Sequence, residues 1–330
     1  MNDGSTDGTA RVMDQYAVHP QVTVVHQENG GKHSAVNLGI RTTDAEFIGC
    51  LDADSFVHPG ALKEILPHFD DPKVAAVTAS MTVHEPKNVL QKMQYAEYLA
   101  GVALRHIFAV VNGLYVTPGP FSFYRKSVFA HVGGFAYGHQ TEDMEMAMRL
   151  QRHGYRIGNA PRAQVFTKAP ATVWGLVKQR TRWTSGFMRN SYDYRDLILN
   201  PRYGVLGLLV MPLGVLALAA GMGLFILTLT DLATTIARTI STQGEVPWHH
   251  ILSFPTFDWF YVPITEIFLL GVIGVVIVVS IMYIGKHISG AKRPIAFDLV
   301  SYILFYSFIA PVWLFRSMRD VAFGYRRAWR

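Results

Sequence analysis

The chain has 330 residues, 50% of them hydrophobic and only 16% charged, with a formal net charge of +6. That composition excludes a disordered chain, a collagen-like fibre and a small disulfide-stapled scaffold. Cys50 is the only cysteine, so no intramolecular disulfide can form. Residues 201–330 hold 6 of the 24 acidic and 10 of the 30 basic residues. A basic excess beside long apolar runs points to a membrane surface and not to nucleic acid.

In chain order, Met1–Ala10 is polar and Gly-rich, without the basic start and apolar stretch of a signal peptide. Up to about residue 170, strand-like and helix-like patterns alternate. Gln21–His26, Phe47–Leu51, Val74–Ser80 and Phe121–Arg125 read as short strands, and Gly8–Tyr16, His33–Ile40 and Pro59–Phe69 as helices. Such alternation predicts an α/β domain with a mainly parallel sheet over residues 1–170. Tyr95–Val111 is apolar but holds Glu97, Arg105 and His106, so it reads as a packed helix and not as a membrane span. Thr141 begins a further helix that stops at Gly154. Thr172–Tyr194 carries apolar residues at helical spacing and predicts an amphipathic interface helix within residues 171–202.

Residues 203–330 read as a membrane domain. Val205–Thr230 contains no charge and is long enough for a hydrocarbon core of ~30 Å. Tyr261–Gly285 carries only Glu266, whereas Ile295–Phe315 contains Asp298 and Pro311 and also suits a re-entrant or interfacial placement. Residues 231–256 have one basic residue, Arg238, but the segment after the second run has Lys286, Lys292 and Arg293. The positive-inside rule then puts residues 286–294 and the N-terminal domain in the cytosol, at the inner or plasma membrane. A third span would carry Arg316, Arg319, Arg326, Arg327 and Arg330 outward, against the same rule.

Four segments could carry chemistry. Asp52 and Asp54 follow a predicted strand, and side chains two apart in extended chain point the same way. Two carboxylates there suit a hard divalent cation with phosphate ligands; a solvated turn is the alternative. Asn29-Gly30-Gly31-Lys32 opens a helix, where glycine amides, the helix dipole and a lysine favour an anion, although a plain glycine turn reads alike. Thr141-Glu142-Asp143 puts carboxylates in a first helical turn, which is useful for a base and is also ordinary helix design. Gln179, Arg182 and Trp183 share one helix face, suited to a diphosphate and a sugar or, equally, to an interfacial anchor.

Together with Asn2-Asp3-Gly4-Ser5-Thr6-Asp7-Gly8-Thr9, these motifs occur in order before the apolar runs. Over about residues 2–200 the chain resembles the processive family 2 membrane glycosyltransferases, which make poly-N-acetylglucosamine, hyaluronan, chitin and cellulose. The resemblance implies a GT-A fold, a UDP-sugar donor, Mg²⁺ or Mn²⁺, a growing polysaccharide acceptor and a lipid bilayer, and leaves an accessory subunit open. It implies that Asp3 contacts the nucleobase, that Lys32 lies near the diphosphate, that Asp52 holds the nucleotide and that Asp54 holds the metal. Asp143 would be the general base, while Gln179, Arg182 and Trp183 hold the diphosphate and the acceptor sugar. Thr117–Ser122 would form a loop near the acceptor, a place where a Pro-Gly turn also fits. Among donors the layout favours UDP-N-acetylglucosamine. A non-processive transferase with a lipid-phosphate acceptor, and an inactive relative, are the alternatives. By the family's pattern two strands should precede Asp3, so the sheet is expected to lack its first strands, with poor activity or stability. Asn2 stands where many relatives have an aspartate.

Overall fold

The computed structural model describes residues 1–242 and 266–325. Among the described residues, seven strands and ten α-helices order the chain. The strands are β1 (Asn2–Asp3), β2 (His26–Gln27), β3 (Phe47–Cys50), β4 (Ser55–Val57), β5 (Val74–Val83), β6 (Ser122–Arg125) and β7 (Arg156–Thr167). Helices α1 (Thr9–Asp14), α2 (Lys32–Arg41), α3 (Ala61–Ile65), α4 (Val89–Val110), α5 (Phe129–Val132) and α6 (Glu142–Arg152) fall among them. The helices α7 (Val173–Asp193), α8 (Met211–Thr242), α9 (Glu266–Ser289) and α10 (Ala296–Ala322) follow the last strand.

The main sheet has the order β3-β6-β5-β7-β4. It is mixed, which corrects the mainly parallel expectation: only β5 and β7 run parallel, while β3–β6, β5–β6 and β4–β7 are antiparallel. Four residues separate β3 from β4, which lie at opposite edges of the sheet and pair with β6 and β7. The link from β5 to β6 runs through α4, which also packs against α9 and α10. The predicted strand Gln21–His26 shrinks to two residues that pair in parallel with β1, apart from the main sheet.

All ten residues of β5 are buried, as expected of a central strand covered on both faces. One core layer packs Met146, Ala147 and Leu150 of α6 against Ala75, Tyr124 and Ile157. Another joins α4 to the membrane-side helices through Tyr95, Leu99, Met282 and Leu299. α4 starts with a capping box: Gln91 N donates to Asn88 Oδ1 at 2.9 Å, and Asn88 N donates back to Gln91 Oε1. Gly285 allows close packing there, since a Cβ would strike the Leu99 carbonyl, 2.8 Å from its carbon.

Among the described residues, three helical stretches are long and apolar enough to cross a membrane: Leu206–Arg238, Phe268–Ser289 and Ala296–Ala322. They overlap the three expected runs. The first residues of the second run, 261–265, lie outside the described residues, as do 243–256 of the expected outer loop and the arginines 326, 327 and 330.

Candidate active site

The site forms where β3 ends and β6 begins, beside the first turns of α2 and α6. Cys50 pairs with Ser122 across the antiparallel β3–β6 ladder, and Phe121 N donates to Cys50 O at 2.6 Å. This register brings the Thr117–Phe121 loop to the strand end that carries Asp52. A Cβ on Gly119 would lie 2.5 Å from Lys32 Nζ and 3.2 Å from Asp52 Oδ2, so a side chain here would crowd that ion pair. Lys32, the first residue of α2, donates from Nζ to Asp52 Oδ1 at 2.5 Å and stands 3.7 Å from Glu142 Oε1. Burial alone would lower its pKa, but the carboxylates of Asp52, Glu142 and Asp143 outweigh burial and raise it. The Cys50 thiol in the same place is pushed up to about 12, by burial first, which leaves it inert as a nucleophile.

Asp143 lies in the first turn of α6, after Thr141 at the cap position. Its Oδ1 accepts from Met144 N at 2.9 Å, and its carbonyl accepts from Thr117 Oγ1 at 2.7 Å. Desolvation and then the charge of Glu142 push the Asp143 carboxyl up to about 6, against the opposing pull of Lys32 and Arg182. The Thr141 hydroxyl, expected to cap the helix, instead donates to Gly138 O at 2.8 Å and accepts from Asn190 Nδ2 at 2.9 Å. Gly186 of α7 lies directly over Thr141, where a Cβ would sit 2.5 Å from Thr141 Cγ2. Through this close approach α7 delivers Arg182, one turn before Gly186, to the start of α6. There Arg182 Nη1 donates to Gln140 O at 3.3 Å.

Gln179 and Trp183 stand on α7 around a buried cation. Arg180 donates to Glu97 Oε2 of α4 at 2.7 Å and to Gln179 Oε1 at 3.2 Å, and lies 4.2 Å from the centre of the Trp183 ring. Despite its burial, Glu97 first and then Tyr98 raise the Arg180 pKa further. The indole is partly buried against the cluster of Tyr95, Tyr98 and Leu99.

Asp3 Oδ1 accepts from Gln27 Nε2 at 2.6 Å and from Gly30 N at 2.8 Å. It thus pins the glycine segment that leads to Lys32. Gly31 N donates to Asn29 Oδ1 at 3.3 Å, so this segment offers the lysine and not a free row of amides. Asp54 is exposed, and its Oδ1 accepts from Ser55 Oγ at 3.2 Å. Among the described residues, no three His, Cys, Asp or Glu side chains converge to hold a metal on their own. Asp52, engaged by Lys32, and the exposed Asp54 are the hard oxygen donors at this strand end, the ligand type that suits Mg²⁺ or Mn²⁺.

Lys32, Asp52, Asp143 and Arg182 therefore meet in one place, with Asp3 behind the loop of Lys32. Gln179 and Trp183 stand around Arg180, on the same helix as Arg182, and Asp54 is exposed two residues after Asp52. Sequence reasoning missed the buried Glu142, the close approach of Gly119 and the Glu97–Arg180 pair. Glu142 had a signal, since it sits inside the Thr141-Glu142-Asp143 motif; Glu97 had none, being 83 positions from its partner.

A mixed α/β sheet with acidic residues at a strand end and a helix start, followed by apolar helices, defines a GT-A-like glycosyltransferase domain. A family model described as glycosyl transferase family group 2 matches residues 47–315, and the chain belongs to that family. Poly-beta-1,6-N-acetyl-D-glucosamine synthase of Staphylococcus aureus is 33% identical over 189 residues, covering 56% of this chain and 46% of the relative. The synthase of the same name from Staphylococcus epidermidis is 31% identical over the same length. The matched stretch spans about half the length of these curated relatives. Among solved structures, the mannosyltransferase PcManGT from Pyrobaculum calidifontis, in complex with GDP-Man and Mn2+, matches with a TM-score of 0.59. It covers 98% of this chain and 76% of its own at 18% identity, a likeness of fold.

Proposed function

We propose that this chain is a membrane-embedded, inverting glycosyltransferase that moves a sugar from a UDP-linked donor to the end of a growing β-linked polysaccharide. One observation carries the reading: the Asp143 carboxyl, raised to about 6, shares its surroundings with Glu142, Lys32 and Arg182. The preferred donor is UDP-N-acetylglucosamine, supported by the Staphylococcus synthases at 31–33% identity. The bilayer as partner is supported by the three apolar helices. Loop charges favour a catalytic domain on the cytosolic side.

In the proposed step the acceptor hydroxyl oxygen attacks the anomeric carbon from the face opposite the diphosphate. A new C–O bond forms while the bond to the diphosphate breaks, and that electron pair leaves with the nucleoside diphosphate. Asp143 takes the hydroxyl proton. A carboxyl titrating near 6 is ionised at neutral pH yet more basic than an ordinary aspartate. Lys32 and Arg182 place positive charge where negative charge develops on the leaving group. Asp54, with Asp52, would hold Mg²⁺ or Mn²⁺, which when bound neutralises diphosphate oxygens. Asp3 serves the nucleobase, and Gln179 and Trp183 receive the acceptor sugar, the indole giving its ring an apolar platform. A single displacement turns an α-linked donor into a β-linkage.

The test is Asp143→Asn in membranes supplied with UDP-N-acetylglucosamine and Mn²⁺. Loss of the base should cut UDP release by about 10²–10⁴-fold while donor binding persists. Unchanged turnover would refute the assignment.

A further inference from the structure

α10 is long and apolar enough to cross a bilayer, yet both of its ends rest on the catalytic domain. At its start, buried Asp298 accepts from Arg293 at 3.0 Å, Lys92 of α4 stands 4.7 Å from the centre of the Phe297 ring, and Leu299 packs with Tyr95. In its middle, Tyr306 OH donates to Glu97 of α4 at 3.5 Å. At its end, Ser317 Oγ donates to Thr181 O of α7 at 3.3 Å, and Arg189 of α7 donates to Asp320 O at 2.8 Å. The chain is still held past the helix, where Arg189 donates to Tyr325 O at 2.8 Å.

From Asp298 to Asp320 an α-helix rises about 33 Å, the thickness of a hydrocarbon core. A crossing helix would carry one of those aspartates to the far side of the membrane. Neither α4 nor α7 can follow it, because both are tied to the catalytic domain. Gln91 and Gln94 of α4 donate to the carbonyls of Ala169 and Pro170, just after β7. α7 is bound to the start of α6 through Asn190 and Thr141.

The exposure pattern agrees. Asp298, Ser301, Trp313, Ser317 and Asp320 are buried toward the domain. Phe297, Val300, Leu304, Phe308, Val312 and Phe315 form an exposed stripe at helical spacing, with Phe308 80% exposed. Beside the stripe, half-buried Leu314 meets α8, lying 3.7 Å from where a Gly221 Cβ would be. Arg316 lies 4.3 Å from the centre of the Trp174 ring, and three more arginines, 326, 327 and 330, follow in the sequence. An apolar stripe flanked by arginines is the pattern of a helix lying in the headgroup region.

We propose that α10 does not cross the bilayer but lies in its plane, with the stripe from Phe297 to Phe315 in the leaflet nearest the catalytic domain. The proposal rests on α8 and α9 being the two crossings. It returns the chain to the domain's side after α9 and keeps Arg316 and Arg319 on the same side of the membrane as Lys286, Lys292 and Arg293. The charge conflict of a third span then disappears.

The test uses the full chain with Cys50→Ser and one introduced cysteine, in carbonate-washed membrane vesicles of known orientation. A membrane-impermeant maleimide should label Tyr325→Cys from the same side as Lys168→Cys, a reference on the catalytic domain. Fluorophores placed at Phe297, Phe308 and Phe315 should report one shared depth of about 5–10 Å by quenching with lipids brominated at known positions. Labelling of Tyr325→Cys from the opposite side would overturn the proposal. So would a profile in which Phe308 lies near the bilayer centre, about 15 Å deep, with its neighbours shallower. Removal of the chain by carbonate would instead overturn the bilayer reading as a whole, and this proposal with it.

Discussion

Gly186→Ala tests whether the approach of α7 to α6 sets the active site, because it removes no functional group. The added Cβ would stand 2.5 Å from Thr141 Cγ2 and 2.9 Å from Thr141 Cβ. Carbon atoms pack at about 3.5–4.0 Å, so the helices must separate by about 1 Å or more. Thr141 has little room to yield, being buried and hydrogen-bonded to Gly138 and Asn190. Overpacking of this kind costs about 1–3 kcal/mol. Arg182 lies one turn away and moves with the helix, and a misplacement of about 1 Å can cost 10²-fold in rate. The expected result is a fall in turnover of about that size, with a lower thermal-inactivation midpoint. Thr141→Ala removes Cγ2 and the hydroxyl, so combined with Gly186→Ala it should cost less than the sum of the two, by about 0.5–3 kcal/mol. Wild-type turnover in Gly186→Ala, or strict additivity in the pair, would show that this contact does not position Arg182.

Transfer should fall on acidification with an apparent pKa of about 6, because Asp143 must be ionised to accept a proton. Glu142 raises that value, so Glu142→Gln should move the acid limb to lower pH; a limb that stays in place would separate Asp143 from the rate. Glu97→Gln leaves the buried Arg180 without its carboxylate partner, and such a change costs about 3–5 kcal/mol. Thermal inactivation in detergent should register it, and a stability equal to wild type would refute the pairing. Asp54→Asn should raise the Mn²⁺ concentration needed for half-maximal turnover about tenfold or more, equivalent to roughly 1.4 kcal/mol. An unchanged metal titration would take Asp54 out of the metal's shell.

Much of the site was legible in the sequence because each motif marks a place where regular structure starts or stops. Asp52 follows a strand, Lys32 opens a helix, and Asp143 lies in a first turn, so residues far apart in the chain converge at the ends of elements. The direction of the strands was less legible. An apolar segment such as Val74–Val83 reads the same whether its neighbours run with it, as β7 does, or against it, as β6 does. The strand expected at Gln21–His26 was overestimated because Val22, Val24 and Val25 look strand-like, while the ladder with β1 takes in only His26 and Gln27. The contact of Glu97 with Arg180 left no local mark at all.

That contact also links α10 to the motif proposed to receive the acceptor. In sequence, Glu97, Tyr306 and Arg180 are a charge in an apolar helix, a tyrosine in an apolar run and an arginine at an interface. In the fold they form one chain of contacts, from Tyr306 of α10 through Glu97 of α4 to Arg180, which packs on Trp183. Trp183 is therefore held from behind by a cation whose counter-charge is shared with Tyr306 of α10. An acceptor platform on a mobile side chain would have to be ordered anew for each sugar added. One fixed by a buried ion pair keeps the same place through successive transfers. Processive growth needs such constancy more than a single transfer does, which is why product length, and not only rate, is the quantity that Glu97→Gln should shorten on a gel.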